Sequence, residues 1–217
     1  MIIVVIANCL ETEPEFDRYS TGIVFPPKEP VAVYIPVSQM TPQQIFAELE
    51  KYGVHWQILD AIWSIESDRG KYPSQYRIID RLSGKTLEIF YDICAKAGHS
   101  PEKMFGGSAG EMGNFQFKVR AWKRFQIDFN CNRICNPWEF SDAAASCCNF
   151  LLALGYKKNP FEAVMKYNNG PNRIGYTLEV FEEAIRNGAS FELKEVKKAL
   201  GITQLSASLF CLNSIKI

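Results

Sequence analysis

From Thr41 to Leu200 the apolar residues return every three or four positions, the spacing that lines one face of an α-helix. Ile89, Ile93 and Cys94 make one such stripe, and Val180, Phe181, Ala184 and Ile185 another. The pattern predicts helices over Pro42 to Lys51, Trp56 to Asp68, Lys85 to Ala97, Phe117 to Phe125, Asp142 to Leu154, Pro160 to Tyr167, Asn172 to Asn187 and Glu192 to Leu200. Thr41 followed by Pro42 and Gln44 marks the first helix start: a hydroxyl caps the turn, proline fits its first position and glutamine closes a capping box. Gly98, Gly155 and Gly188 each follow a helical run and read as stops. Before Thr41, Pro26, Pro27, Pro30 and Pro36 surround the alternating run Val31 to Ile35, which reads as an extended arm or edge strand because proline cannot complete an interior ladder. The organisation expected is an N-terminal arm with short strands over 1–40, a mainly α body over 41–190, and a C-terminal helix and tail over 191–217 packed on that body.

One polar residue breaks the apolar run Ala61 to Ser67. Glu66 stands there beside Trp63, Ile62 and Ile65. Burial in such company raises a carboxyl pKa towards neutrality, the condition for donating a proton to a leaving oxygen near pH 7. The bland alternative is a structural carboxylate that caps or pairs with Arg69 or Lys71.

Composition narrows the partners. The 217 residues carry 24 Lys plus Arg against 24 Asp plus Glu, so there is no cationic excess to hold a nucleic-acid backbone. The chain is long enough for one well-filled core. An aromatic fraction of 13% serves a core or a groove for a ring-shaped ligand. Met1 to Leu10 is apolar but lacks a basic leader and is too short to span a bilayer; it reads as a buried strand or as the remains of an export segment. Seven cysteines, an odd number without a Cys-x-x-Cys pair, point to an extracytoplasmic setting, with Cys131 and Cys135 spaced for a small disulfide ring. His55 and His99 are the only histidines and lie far apart, so a zinc site and a histidine-dependent nucleophile are not indicated.

The richest loop material is Phe105 to Phe117, with four glycines in the nine positions 105–113. It lets the backbone turn sharply and approach another group closely. It is no phosphate loop, since the Gly-Lys-Ser/Thr ending and the leading strand are both missing.

Three separated segments together resemble the lysozyme-like lytic transglycosylases. Glu66-Ser67-Asp68-Arg69-Gly70 is similar to their catalytic Glu-Ser/Thr-x-x-Gly. Ala109-Gly110-Glu111-Met112-Gly113-Asn114-Phe115-Gln116-Phe117 resembles their Ala-Gly-Ala-Met-Gly-Pro-x-Gln-Phe loop, and Asn136-Pro137-Trp138 with Asp142-Ala143, followed by Ala163 to Gly170, looks like the later part of the same domain. The resemblance implies a mainly α, lysozyme-like domain of short helices around a glycan groove. It implies cleavage of the β-1,4 bond between N-acetylmuramic acid and N-acetylglucosamine in peptidoglycan, with 1,6-anhydromuramoyl ends. Carried over residue by residue, Glu66 is acid and then base, and Ser67 helps place the acid or the sugar. Gln116 faces the glycan, and Tyr167 and Asn168 hydrogen-bond near Glu66 or the muramoyl ring. The partners implied are peptidoglycan glycan strands met by a monomer in the periplasm or cell envelope, or by a secreted protein. Neither cofactor nor metal, nucleic acid nor integral membrane segment is expected. The alternatives are a lysozyme-type hydrolase using water and a catalytically silent glycan-binding protein.

The chain departs from the pattern at Glu111, Asn114 and Phe115. Glu111 is read as turned to solvent; its alternative is a place beside Glu66, where its charge would raise the pKa of the acid. Asp128, Asn130, Asn132, Asn136 and Glu139 occupy positions 1, 3, 5, 9 and 12 of a calcium-loop spacing, yet Arg133 stands where the sharp turn needs glycine. A loop held by side-chain hydrogen bonds or by a Cys131 to Cys135 bond is the reading preferred.

Overall fold

A computed structural model describes residues 36–71 and 75–202. The expected strand at Val31 to Ile35, the first ten residues and the tail beyond 202 lie outside the described residues. Among the described residues eight α-helices follow one another: α1 (Pro42–Glu50), α2 (Trp56–Ser67), α3 (Gly84–Lys96), α4 (Val119–Phe125), α5 (Phe140–Ala153), α6 (Pro160–Tyr167), α7 (Arg173–Arg186) and α8 (Leu193–Ala199). Each matches a predicted helix to within two residues at either end. The start of α1 is a full capping box: the Thr41 hydroxyl accepts from Gln44 N, and Gln44 Oε1 accepts from Thr41 N at 2.8 Å. Gly98, Gly155 and Gly188 end α3, α5 and α7 at φ of 71°, 91° and 88°.

Helix α2 is the axis of the body. Ile58, Leu59, Ala61 and Ile62 are wholly buried on it, and it packs against α1, α5 and most extensively α7. The small residues Ala143, Ala144 and Ala145 let α5 approach closely from the other side. Phe46 from α1, Trp63 from α2, Phe140 from α5 and the buried Phe115 form one aromatic cluster, with Trp63 and Phe140 centroids 4.5 Å apart and Phe115 and Phe140 6.0 Å apart. Phe115 therefore fills the core beneath the glycine-rich loop.

One feature had no sequence signal. Two-residue strands, β1 (Tyr76–Arg77) and β2 (Phe105–Gly106), pair antiparallel with Tyr76 opposite Gly106. They tie the chain after α2 to the entrance of the glycine-rich loop. A side chain at Gly106 would collide with the Glu111 carbonyl, and one at Gly113 with the Pro137 carbonyl, so both positions need glycine.

Candidate active site

Glu66 lies in the last turn of α2, where the helix stops abruptly. Asp68, Arg69 and Gly70 are all left-handed, at φ of 47°, 53° and 79°. The turn is held from within, because the buried Ser67 hydroxyl donates to Trp63 O at 3.1 Å and accepts from Gly70 N at 3.0 Å. Both its bonds go to backbone, so of the two roles open to Ser67 the geometry fits placing the acid rather than touching sugar. Arg69 does not pair with Glu66. It forks onto Asp60 at 3.1 and 2.8 Å and reaches Glu183 of α7 at 3.2 Å, while Asn187 Nδ2 adds a 2.8 Å bond to Asp60. This clamp locks the end of α2 to α7 and leaves Glu66 without a cationic partner in its own turn.

The partner of Glu66 comes from α7. The hydroxyl of the buried Tyr176 donates to Glu66 Oε1 at 2.7 Å, leaving the second oxygen for the cleft that Glu66 lines. Burial raises the Glu66 pKa from its ordinary 4.5 to about 7; the Tyr176 bond pulls it down, nearby Glu111 pushes it up and Lys118 pulls it down. Nothing in the residue pattern singles out Tyr176, which shares its helix with the apolar stripe of Val180 and Phe181.

The cleft has a volume of about 460 Å³ and is walled by the glycine-rich loop on one side and by the end of α6 on the other. Gln116, Tyr167 and Asn168 all line it with Glu66. Gln116 is itself left-handed at φ 47°, and its Nε2 donates to Gly113 O at 2.8 Å, which fixes the amide with Oε1 free. Tyr167 donates to Phe115 O at 2.9 Å, so its hydroxyl braces the loop instead of reaching Glu66. Asn168 Oδ1 accepts from Gly170 N at 3.1 Å. Across the mouth, Lys118 Nζ donates to Asn169 Oδ1 at 3.3 Å.

Glu111 corrects an expectation. Its side chain does not turn to solvent but lines the cleft with Glu66, and its Oε2 accepts from Ala109 N at 2.9 Å. The loop doubles back on itself through paired bonds between Met112 and Phe117, 2.8 and 2.9 Å, which buries Met112 and directs its neighbour inward.

Other candidates sit away from the cleft. His55 Nδ1 meets Tyr156 Oη at 3.0 Å at the start of α2, and Trp138 packs edge-on against Phe90 and His99. Cys135 is a free thiol, so no Cys131 to Cys135 ring is closed. The calcium-like loop is tied by its own bonds: Asp128 accepts from Asn132 N and Arg133 N, Asn132 Oδ1 from Ile134 N, and Asn130 Nδ2 donates to Glu139. Asp142 at the start of α5 accepts from Phe129 N and Asn136 N, and burial lifts its pKa to about 6. Arg133 makes the turn in the left-handed region at φ 70° but brings a positive charge to it, and of the loop's two carboxylates Asp128 accepts from backbone N–H groups and Glu139 from an amide, so with three amides this is a weak donor set for a hard dication. Among the described residues no group of three or more His, Cys, Asp and Glu is gathered for a metal, and no helix is long and apolar enough to cross a membrane.

A family model described as the transglycosylase SLT domain matches residues 39–209. Membrane-bound lytic murein transglycosylase B of Escherichia coli (strain K12) is 30% identical over 134 residues, which are 55% of this chain and 37% of that protein. The matched part thus spans little more than a third of that relative's length. The Escherichia coli lytic transglycosylase SLT35, determined in complex with bulgecin A, superposes with a TM-score of 0.59 at 19% identity, over 66% of this chain and 69% of that one. SltB3 from Pseudomonas aeruginosa, in complex with NAG-NAM-pentapeptide, gives a TM-score of 0.59 at 20% identity, over 68% of this chain and 61% of that one. At such identities these two likenesses are of fold: the expected lysozyme-like arrangement of short helices.

Proposed function

The chain belongs to the family of the transglycosylase SLT domain, and from that premise we propose that it is a lytic murein transglycosylase with Glu66 as its acid and base. It cleaves the β-1,4 bond between N-acetylmuramic acid and N-acetylglucosamine. In the first step Glu66 gives its proton to the glycosidic oxygen as the bond from that oxygen to C1 breaks. In the second, the Glu66 carboxylate takes the proton of the muramoyl C6 hydroxyl while that oxygen bonds to C1, closing the 1,6-anhydro ring. The acid ends as it began, protonated.

The observation that carries this reading is a carboxyl held at a pKa of about 7 in the floor of a cleft. A group poised there gives and takes a proton with nearly equal ease at neutral pH. One carboxyl suffices because the C6 hydroxyl is tethered to the carbon it attacks and so has a high effective concentration. Tyr176 keeps the carboxylate form from becoming too costly, since its hydroxyl donates to whichever charge develops on Oε1. Gln116 Oε1 and Asn168 offer polar contacts to sugar hydroxyls and acetamido groups along the cleft, with Tyr167 bracing the wall. Ser67 holds the turn that aims the acid.

The partner in this reading is the glycan strand of peptidoglycan, met by a monomer outside the cytoplasm. The test is to digest purified sacculi and identify the sugar ends by mass spectrometry. Soluble muropeptides ending in 1,6-anhydromuramic acid are expected; a protein that binds sacculi and releases nothing would establish the catalytically silent alternative instead.

A further inference from the structure

One group in the cleft has no part in that reaction. Glu111 lines the same cavity as Glu66, on the opposite segment of chain, and the one-acid scheme leaves it idle. A second carboxylate at this spot works against ionisation of the first, so it carries a cost that a bystander would not repay.

Its surroundings leave it available. Its Oε2 accepts from Ala109 N at 2.9 Å and keeps a second lone pair, and among the described residues its Oε1 accepts no bond and no lysine or arginine forms an ion pair with it. Above Gly107 two acceptors converge. A Cβ built there would collide with Glu111 Oε2 and stand 2.7 Å from Gln116 Oε1. The orientation of the glutamine is fixed by its Nε2 bond to Gly113 O, so it presents oxygen at this point and not nitrogen. Two neighbouring acceptors on the wall of the cleft suit a molecule in the cleft with two O–H donors, and water is the smallest. Only glycine at 107 lets the two oxygens come this close to the backbone and so to each other.

We propose that Glu111 is a second catalytic carboxylate, a general base that holds and activates a water molecule and gives this chain a hydrolytic branch beside the anhydro-forming one. The inference rests on the glycan-cleaving reading of the same cleft. In the hydrolytic branch Glu66 gives its proton to the glycosidic oxygen as that oxygen leaves C1. The water oxygen bonds to C1, and its proton passes to Glu111. The product is a reducing muramoyl end, and solvent returns the proton from Glu111 to Glu66. Paired carboxylates flanking the scissile bond are what hydrolytic glycosidases use, whereas the intramolecular route needs one.

The experiment counts both kinds of end from one digest. Purified sacculi are incubated in ¹⁸O-labelled water with the wild-type chain, Glu111→Gln and Glu111→Ala, reduced at once with borohydride, and analysed by mass spectrometry. Wild type is expected to yield labelled reducing ends together with anhydro ends. Both variants are expected to lose reducing ends by roughly tenfold or more relative to anhydro ends, the scale of a lost general base. Circular dichroism on both variants establishes that they are folded. Wild type yielding anhydro ends alone, an unchanged ratio in the variants, or equal loss of both products in the folded variants would each overturn the proposal. The first two leave the transglycosylase reading standing, whereas no release of either product by wild type would sink both.

Discussion

Glu66 is set between opposing influences, and their balance is measurable. Burial raises its pKa most, Glu111 adds to the rise, and Tyr176 and Lys118 counter it. Its folded pKa of about 7 lies above the ordinary 4.5, so the folded state binds more protons than the unfolded state between those values. Stability attributable to this group is greatest below the lower value, falls as pH rises through the window and stays reduced above it. Glu66→Gln removes the ionisable group. That variant is expected to lose cleavage by a factor of about 10²–10⁴ while gaining on the order of 1–3 kcal/mol of stability at pH 8, a gain that vanishes near pH 4. Thermal melts at the two pH values check the second half. Tyr176→Phe deletes the bond that favours the carboxylate, so the Glu66 pKa rises further. The alkaline limb of its pH–rate profile should move to higher pH, with a several-fold lower maximum from poorer positioning. An unmoved limb would remove Tyr176 from the account.

At the scale of elements, the junction of α2 and α7 carries the acid and its partner, and the Asp60, Arg69, Glu183 and Asn187 clamp holds it. Asp60 is buried and accepts three of the clamp's bonds. Asp60→Ala should cost about 2–4 kcal/mol in a denaturant melt, because it leaves a partly buried guanidinium with Glu183 alone. The same variant should lower cleavage through loss of alignment between Glu66 and Tyr176. The loop from Asp128 to Glu139 is closed by its own amides and carboxylates. Chelation with EDTA, or addition of millimolar calcium, should therefore move the melting temperature by less than about 1 °C, since a ligand stabilises only a site it occupies. A calcium-dependent rise of several degrees would refute this reading of the loop.

For the whole molecule, much of the architecture was legible because the apolar residues keep a helical period and several helices advertise an end. Thr41 with Gln44 and the terminal glycines are local chemistry that tertiary contacts did not override. The pairing of β1 with β2 was not legible, as two-residue strands carry no period. Glu66, Gln116, Tyr167 and Asn168 were named from sequence and do line one cleft. Tyr176 was missed because a tyrosine on an apolar helical face looks like core until the facing helix is known. Glu111 was misread for a different reason: in a glycine-rich loop side-chain direction follows the turn geometry, which residue identity leaves open. The described residues pack eight helices so that the Glu66 carboxyl lines a polar groove. The proposed cleavage depends on the proton of that one carboxyl. The most direct measurement compares muropeptide release from purified sacculi by wild type and by folded Glu66→Gln at equal concentration. The account predicts release by wild type and a fall of at least about a hundredfold in the variant; release by Glu66→Gln at the wild-type rate would contradict it.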